Sequence, residues 1–246
     1  NDVSIIHFGS WGPGDAYRFP RGLTHFLRGR QDGFDVVHVH NYHAALIPWV
    51  AALRPRRLVV TQHLNDTPHS RIAALLHAPY ALIGRLAMQS AGAVVCVSSA
   101  EQERVVARLG VLRERTIVIP NGVDNSSLQR GTAAVDREPG LLLVVGRLQP
   151  YKRVEDAMSV LAALPLHYRL AIVGDGPYRE SLESLAAKLG VAHRVTFAGR
   201  ATDGELSNWF RRAQLVLNFS QAEAFGMTVL EAVAAGCQVV CSDIPA

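Results

Sequence analysis

Two carboxylates with a glycine between them mark the stretch of this 246-residue chain best suited to chemistry, Glu223-Ala-Phe-Gly-Met-Thr-Val-Leu-Glu231. Gly226, followed by the apolar Met227, Val229 and Leu230, predicts a loop that turns into a helix over Gly226–Ala235. Glu223 then stands in the loop, and Glu231 roughly one to two turns inside the helix. Free amides at a helix start favour an anion, so a diphosphate can rest against the backbone of Met227, Thr228 and Val229. Carboxylates flanking that point suit sugar hydroxyls, which need acceptors. Two solvated helix charges would leave the same pattern, and a glutamate pair at this spacing is common on its own.

Gly146-Arg147-Leu148-Gln-Pro-Tyr-Lys152-Arg153 follows directly on the apolar run Leu141–Val145. A buried strand that ends in glycine and nearby cations presents charge to phosphate, arginine as a planar fork and lysine as a point charge. Strand C-termini are the ligand side of an α/β sheet, which weighs against reading Lys152 and Arg153 as ordinary solvated residues. Ile172-Val-Gly174-Asp175-Gly176-Pro177 repeats the pattern of strand, turn and helix, with Pro177 suited to the first helical position and Asp175 to the cap. Its glycines lack the third member of a dinucleotide fingerprint, so a structural turn is expected there and a Rossmann dehydrogenase is disfavoured. Phe197-Ala-Gly199-Arg200 closes the next strand and is a candidate for backbone contacts to a nucleobase.

The elements that must position these residues follow from periodicity. Short apolar runs alternate with helix-length amphipathic stretches, the mark of parallel βα units. In the first half, strands are predicted near Val3–Phe8, Asp35–Val39, Leu58–Thr61, Ala93–Val97 and Thr116–Ile119, with helices near Pro20–Gly29, His43–Leu53, Arg71–Gln89 and Ala100–Leu109. Ser98 or Ser99 caps the last helix and Gly110 stops it. Asn125–Pro139 is polar and aperiodic and reads as a linker. A second series follows with strands Leu141–Val145, Arg169–Val173, Val195–Phe197, Leu215–Asn218 and Gln238–Cys241. Its helices are Val154–Ala163, Pro177–Leu189, Asp203–Arg212 and Gly226–Ala235. The expected architecture is therefore two doubly wound α/β domains, residues 1–127 and 140–246 with a linker at 128–139, whose strand ends face a shared cleft.

Composition bounds the function classes. Apolar residues make up 49% and charged ones 19%, which is globular rather than disordered. The net charge of +4 comes from scattered arginines with no block of like charges, so nucleic acid is not expected as a partner. Cys96, Cys237 and Cys241 have no metal-ligand spacing, and two of them lie in apolar runs that read as buried strands, which points to a reducing compartment. No apolar run reaches the roughly 18 residues that a transmembrane helix needs. The arginine-flanked stretch Arg71–Met88 could rest on a membrane if the acceptor is a lipid, although burial within the domain is the simpler expectation.

Taken in order and spacing, Gly146-Arg147…Lys152, Gly174-Asp175-Gly176-Pro177, Phe197-Ala198-Gly199 and Ser220…Glu223-Ala-Phe-Gly…Glu231 resemble the retaining GT-B glycosyltransferases of family 4. Asn121-Gly122-Val123-Asp124 is similar to that family's interdomain signature. The resemblance covers residues 35–246 and implies roles for individual side chains. Arg147 and Lys152 would hold the donor diphosphate. Glu223 would face the transferred sugar beside the amides of Phe225 and Gly226, and Glu231 would bind the ribose. His63, at a strand end, matches the family's N-domain histidine near sugar and acceptor, although a satisfied turn histidine would look the same. The family's Gly-rich first loop has no clear counterpart, since Gly9-Ser-Trp-Gly12-Pro-Gly14 comes too late in the chain. Both domains are therefore expected to be truncated, the first of its opening βα unit and the second of its C-terminal end. Asn218-Phe219-Ser220 stands where the family more commonly has Leu-Pro-Ser, and the change is expected to be tolerated.

The resemblance implies a hexosyltransferase-type enzyme acting on a nucleotide sugar and a carbohydrate, lipid or small-molecule acceptor, with no metal or other cofactor. The chain has no Asp-x-Asp motif to hold a divalent ion. A cytoplasmic protein is expected, with peripheral contact at the inner membrane face where the acceptor is a lipid. The rivals are a non-catalytic nucleotide-sugar-binding fragment of the same fold, and a same-fold phosphorolytic enzyme or epimerase.

Overall fold

The computed structural model describes residues 3–12, 19–30, 33–40, 46–63, 82–123 and 137–245. The chain divides into two compact units, Asn1–Pro120 and Asn121–Pro245. Of the expected linker, residues 128–136 lie outside the described residues, as do Asp124, the expected helical residues 43–45 and 71–81, and residues 13–14 of the Gly-rich loop.

The first unit opens with a small antiparallel pair, β1 (Ser10–Trp11) and β2 (Phe19–Pro20), followed by α1 (Leu23–Arg28). Next come β3 (Val37–His40), α2 (Leu46–Ala52) and β4 (Leu58–Thr61). Residues 82–90 are helical and lead to β5 (Ala93–Cys96), α3 (Ser99–Leu109) and β6 (Thr116–Val118). Strands β3 to β6 form a parallel sheet in sequential order. Ile47, Val60, Met88, Val94 and Val105 meet in its core. The α3 ends follow the sequence: the Ser98 hydroxyl accepts from the Glu101 amide at 3.1 Å, and left-handed Gly110 closes the helix. Cys96 is buried under this helix start. Burial, and then the Glu101 carboxylate, push its thiol up to about 12, so it carries no thiolate at neutral pH.

One expectation fails here. Val3–Phe8 forms no strand, and Val3, Ile5 and Ile6 are exposed. Strand-like composition becomes a strand only where a ladder partner satisfies the backbone, and residues 3–8 pair with no strand among the described residues.

The second unit contains β7 (Leu141–Val145), α4 (Val154–Ala163), β8 (Arg169–Val173), α5 (Arg179–Lys188) and β9 (Val195–Gly199). It continues with α6 (Asp203–Arg212), β10 (Leu215–Asn218), α7 (Met227–Ala234) and β11 (Gln238–Cys241). Its parallel sheet has the order β11-β10-β7-β8-β9. Leu142 and Val144 of β7 join a core with α4 and α5, while Leu141 and Leu143 join another with Phe210 and Ala232 of α6 and α7. The sheet is thus covered on both faces, which is why β7 reads as an unbroken apolar run. Two details differ from expectation. Cys241 is exposed, because β11 is an edge strand of this sheet. Pro177 precedes its helix by two residues, since the Tyr178 amide donates to the Leu148 carbonyl at 3.2 Å and holds the turn outside helical geometry.

Candidate functional site

In the second unit the chain leaves β7 toward β8 on one side and reaches β10 on the other, so the sheet reverses direction of growth between β7 and β10. Crossover helices diverge at such a switch point and leave a crevice at the C-terminal strand ends. A cavity lies there, lined by Val145, Gly146, Arg147, Lys152, Asn218 and Ser220 among others.

Three turns lock the crevice floor. The Gly146 amide donates to the Val173 carbonyl at 2.9 Å, and the Gly174 amide to the Gly199 carbonyl at 2.7 Å. Gly174 has φ +136°, and a Cβ there would sit 1.9 Å from the Gly146 carbonyl oxygen, so no other residue fits. This explains the Gly-Asp-Gly turn as structure rather than as ligand contact.

From Gly146 the chain passes through a 3₁₀ turn at Pro150–Lys152 and enters α4 at Arg153, which is left-handed at φ 51°. A two-pronged pair with Asp156, at 2.8 and 2.9 Å, holds Arg153 in that conformation. The turn folds Lys152 back over Gly146, where its terminal carbons and Nζ lie 3.7–3.9 Å from the position of a Cβ. Lys152 Nζ then donates to Glu223 Oε1 at 2.6 Å, with only 15% and 16% of the two side chains exposed. The Gln221 amide donates to the Tyr151 carbonyl at 2.8 Å, so backbone as well as side chains joins the two loops. Neither Lys152 nor Glu223 is a solvated charge. Arg147 lines the same crevice and is exposed, and it makes no ion pair among the described residues.

Asn218 has a local part of its own. Its Oδ1 accepts from the Ser220 amide at 3.2 Å and the Ser220 hydroxyl at 2.7 Å, a side-chain turn that fixes the direction in which the loop leaves β10.

Beyond Glu223 and Phe225, left-handed Gly226 caps α7 without a side-chain hydrogen bond. The Val229 amide donates back to the Gly226 carbonyl at 3.0 Å, so it is not open to a ligand as expected. The Met227 and Thr228 amides donate to no backbone carbonyl among the described residues. Glu231 follows in the second turn, half-buried, and its carboxyl is held above the usual carboxylate range by burial and then by the nearby Asp203. Gly199 and exposed Arg200 lie at the end of β9, leading into α6 through the Thr202–Glu205 capping box.

The geometry therefore brings Gly146, Arg147, Lys152 and Glu223 together. Met227, Thr228 and Glu231 lie on α7, in the same unit, and Gly199 and Arg200 stand at the adjoining sheet edge.

His63 belongs to the first unit, two residues past β4. Its ring stacks with that of His40 at 6.1 Å, and His40 lies 4.3 Å from His38, whose Nε2 is 2.6 Å from Thr61 Oγ1. Burial first and His40 second hold both His63 and His38 below the usual imidazole range, which leaves them neutral at pH 7. Sequence reasoning singled out His63 and missed its neighbours. The signal was present, since His38 and His40 alternate on β3 and His40 stands opposite Thr61 in register. Among the described residues no group of three His, Cys, Asp or Glu side chains is placed to hold a metal ion, and no helix is long and apolar enough to cross a membrane.

Comparison with known proteins gives one consistent answer. The Glycosyltransferase Family 4 model matches residues 1–127, and that of Glycosyl transferases group 1 matches residues 126–246. An uncharacterized glycosyltransferase of Methanocaldococcus jannaschii is 27% identical over 98% of this chain and 65% of its own. A D-inositol 3-phosphate glycosyltransferase of Xylanimonas cellulosilytica is 29% identical over 94% of this chain and 61% of its own. Anabaena HepE, solved in complex with UDP, superposes with a TM-score of 0.72 at 22% identity, covering 91% of this chain and 64% of its own. The chain thus spans less than two thirds of the length of each of these relatives. The structural likeness establishes the fold, two Rossmann-like α/β units of the GT-B type.

Proposed function

Since the chain belongs to Glycosyltransferase Family 4, we propose that it serves to move a sugar from a nucleotide-diphosphate donor to a carbohydrate, lipid or small-molecule acceptor with retention of anomeric configuration. The observation that carries this reading is the Lys152–Glu223 pair, set over Gly146 at the switch point with Arg147 exposed beside it. In this reading the diphosphate enters the crevice against Arg147 and Lys152, with the Met227 and Thr228 amides at the start of α7 facing the same charge. Glu223 faces the transferred sugar, the Phe225 and Gly226 amides lie beside its hydroxyls, and Glu231 accepts from the ribose. Gly199 and Arg200 border the nucleobase, and His63 serves the sugar and acceptor from the first unit.

The chemical step breaks the bond between the anomeric carbon and the phosphate oxygen, and the electron pair stays on the diphosphate. The acceptor hydroxyl bonds to the same face of the sugar, and its proton passes to the departing phosphate oxygen. Charge develops on the leaving group as positive character develops at the anomeric carbon. Cations fixed in advance stabilise the first without reorganising, and losing one such preorganised group typically costs about 3–4 kcal/mol of barrier. Glu223, held by Lys152, serves the sugar as an acceptor of hydrogen bonds rather than as a covalent nucleophile.

The test is nucleotide release by the full-length protein from a panel of nucleotide sugars, with and without candidate acceptors. Acceptor-dependent release is the expected result. Tight donor binding with no release under any condition would replace the enzyme reading with a binding-only one.

A further inference from the structure

Two helices begin on the C-terminal side of the parallel sheet: α6 after β9, just past Gly199 and Arg200, and α7 after β10, at Gly226. Their far ends meet at one guanidinium. Arg137 Nη1 donates to the Ala213 carbonyl at 2.6 Å and approaches the Phe210 carbonyl at 3.5 Å, both at the C-terminus of α6. Its Nη2 donates to the Gly236 carbonyl at 2.6 Å and approaches that of Ala235 at 3.5 Å, just past the end of α7. Cys237 completes the junction: its buried thiol donates to the Phe210 carbonyl at 2.8 Å and lies 3.5 Å from Arg137 Nη1.

A helix leaves its last carbonyls without partners and gathers partial negative charge there. Here a single planar cation serves two such ends at once, from a position 76 residues before Ala213 and 99 before Gly236. The next residue reinforces it. The Glu138 amide donates to the Arg212 carbonyl at 2.8 Å, and its carboxylate accepts from Arg212 Nε at 2.5 Å and Arg169 Nη2 at 3.3 Å.

We propose that Arg137 is a positioning residue for the donor site, fixing α6 and α7 to each other so that Arg200, Gly226 and Glu231 keep one relative placement. The inference rests on the donor reading above. An eight-residue helix is about 12 Å long, so a tilt of about 5° at its C-terminus moves its N-terminus by about 1 Å. Misplacement by about 1 Å at a reacting centre can cost on the order of 100-fold in rate. Lysine cannot replace the fork, because a point charge cannot serve both helix ends in the same geometry.

The experiment compares full-length wild type, Arg137→Lys, Arg137→Ala and Arg147→Ala, at a temperature where each melting curve shows a folded protein. Turnover and nucleoside-diphosphate affinity are measured for each, together with amide exchange across residues 199–236. Arg137→Lys is expected to lose roughly 10-fold or more in kcat, with faster exchange at the starts of α6 and α7. Guanidinium at low millimolar concentration is expected to restore part of the loss in Arg137→Ala while leaving wild type unchanged. Wild-type turnover, affinity and exchange in folded Arg137→Lys would overturn the inference, as would guanidinium failing to rescue a folded Arg137→Ala. If Arg137→Ala does not fold, Arg137→Lys decides alone. Wild-type turnover in Arg147→Ala would instead count against the donor reading itself, which keeps the two failures apart.

Discussion

The two units share a parallel α/β plan but use their strand ends differently. In the second unit the sheet reverses at β7 and β10, and the loops that emerge carry Gly146, Arg147, Lys152 and Glu223 to one point. In the first unit the described strands β3 to β6 run in sequential order without a reversal, and the polar group at their ends is a stack of imidazoles. Charge in the second unit is permanent, with Lys152 paired and Arg147 exposed. In the first it is conditional, because His38 and His63 are held neutral. The same parallel topology thus presents cations at a sheet reversal in one unit and neutral imidazoles at the strand ends of the other.

Removing Arg147 should break the comparison most severely. Arg147→Ala is expected to lower transfer by about 100- to 1000-fold, the typical cost of a preorganised charge-stabilising group, while the melting temperature stays near wild type because the side chain is exposed. Steady-state turnover beside a thermal melt checks both halves. A folded variant with wild-type turnover would remove the diphosphate from this crevice.

Lys152 and Glu223 come next, because their effect divides between stability and activity. With both side chains mostly buried, removing one leaves the other uncompensated. Lys152→Ala and Glu223→Ala should each destabilise, and the double variant by less than their sum, with a coupling of about 0.5–3 kcal/mol. Denaturant melts of all four proteins measure it. Additive behaviour would mean that the pair in the structure contributes nothing in solution.

How much of this was legible follows from what each residue answers to. Val154–Ala163, Asp203–Arg212, Arg169–Val173 and Gln238–Cys241 coincide with the spans predicted from apolar patterning, since periodic apolar positions bounded by polar residues and glycine are set locally. Val3–Phe8 has the same composition and fails, because a strand needs a partner that no local pattern supplies. The site residues were legible as types at strand and helix ends. Their pairing was not, since Lys152 and Glu223 are 71 residues apart and meet only through the sheet. Arg137 was hidden altogether, because it lies in a polar, aperiodic stretch that reads as linker while its contacts lie far along the chain.

His63 tests the other half of the comparison with a smaller effect. His63→Ala should cost roughly 10-fold in transfer, about one hydrogen bond to a reacting group, and leave nucleoside-diphosphate affinity unchanged. The lowered imidazole values add a pH dependence to stability. Above about 6.5 both folded and unfolded states hold these rings neutral. As pH falls below that, the unfolded chain binds protons that the folded one resists, so stability is lost until pH passes the lowered folded value. Melts between pH 7.5 and 5 (values chosen on either side of the ordinary imidazole range, about 6.5) should show this decline in wild type. It should flatten in His38→Asn and His63→Asn, and an unchanged decline in both would assign it to other groups.

Glu231 gives the smallest expected effect, and one of opposite sign in stability. Burial and Asp203 raise its carboxyl, so between the usual carboxylate range and that raised value the folded state binds protons more readily than the unfolded chain. At neutral pH the ionised group therefore works against folding, and the cost fades as pH drops through the raised value. Glu231→Gln should melt slightly higher than wild type at pH 7, with the gain vanishing in acid, where the wild-type carboxyl is already neutral. The same change should weaken donor binding by roughly 0.5–1.5 kcal/mol, because an amide oxygen accepts from ribose hydroxyls less strongly than a carboxylate. A carboxylate kept at a cost to folding is a candidate for binding a ligand. Calorimetry of the nucleotide alongside the two melts decides the point: higher stability with unchanged affinity would leave Glu231 without a part in the donor site.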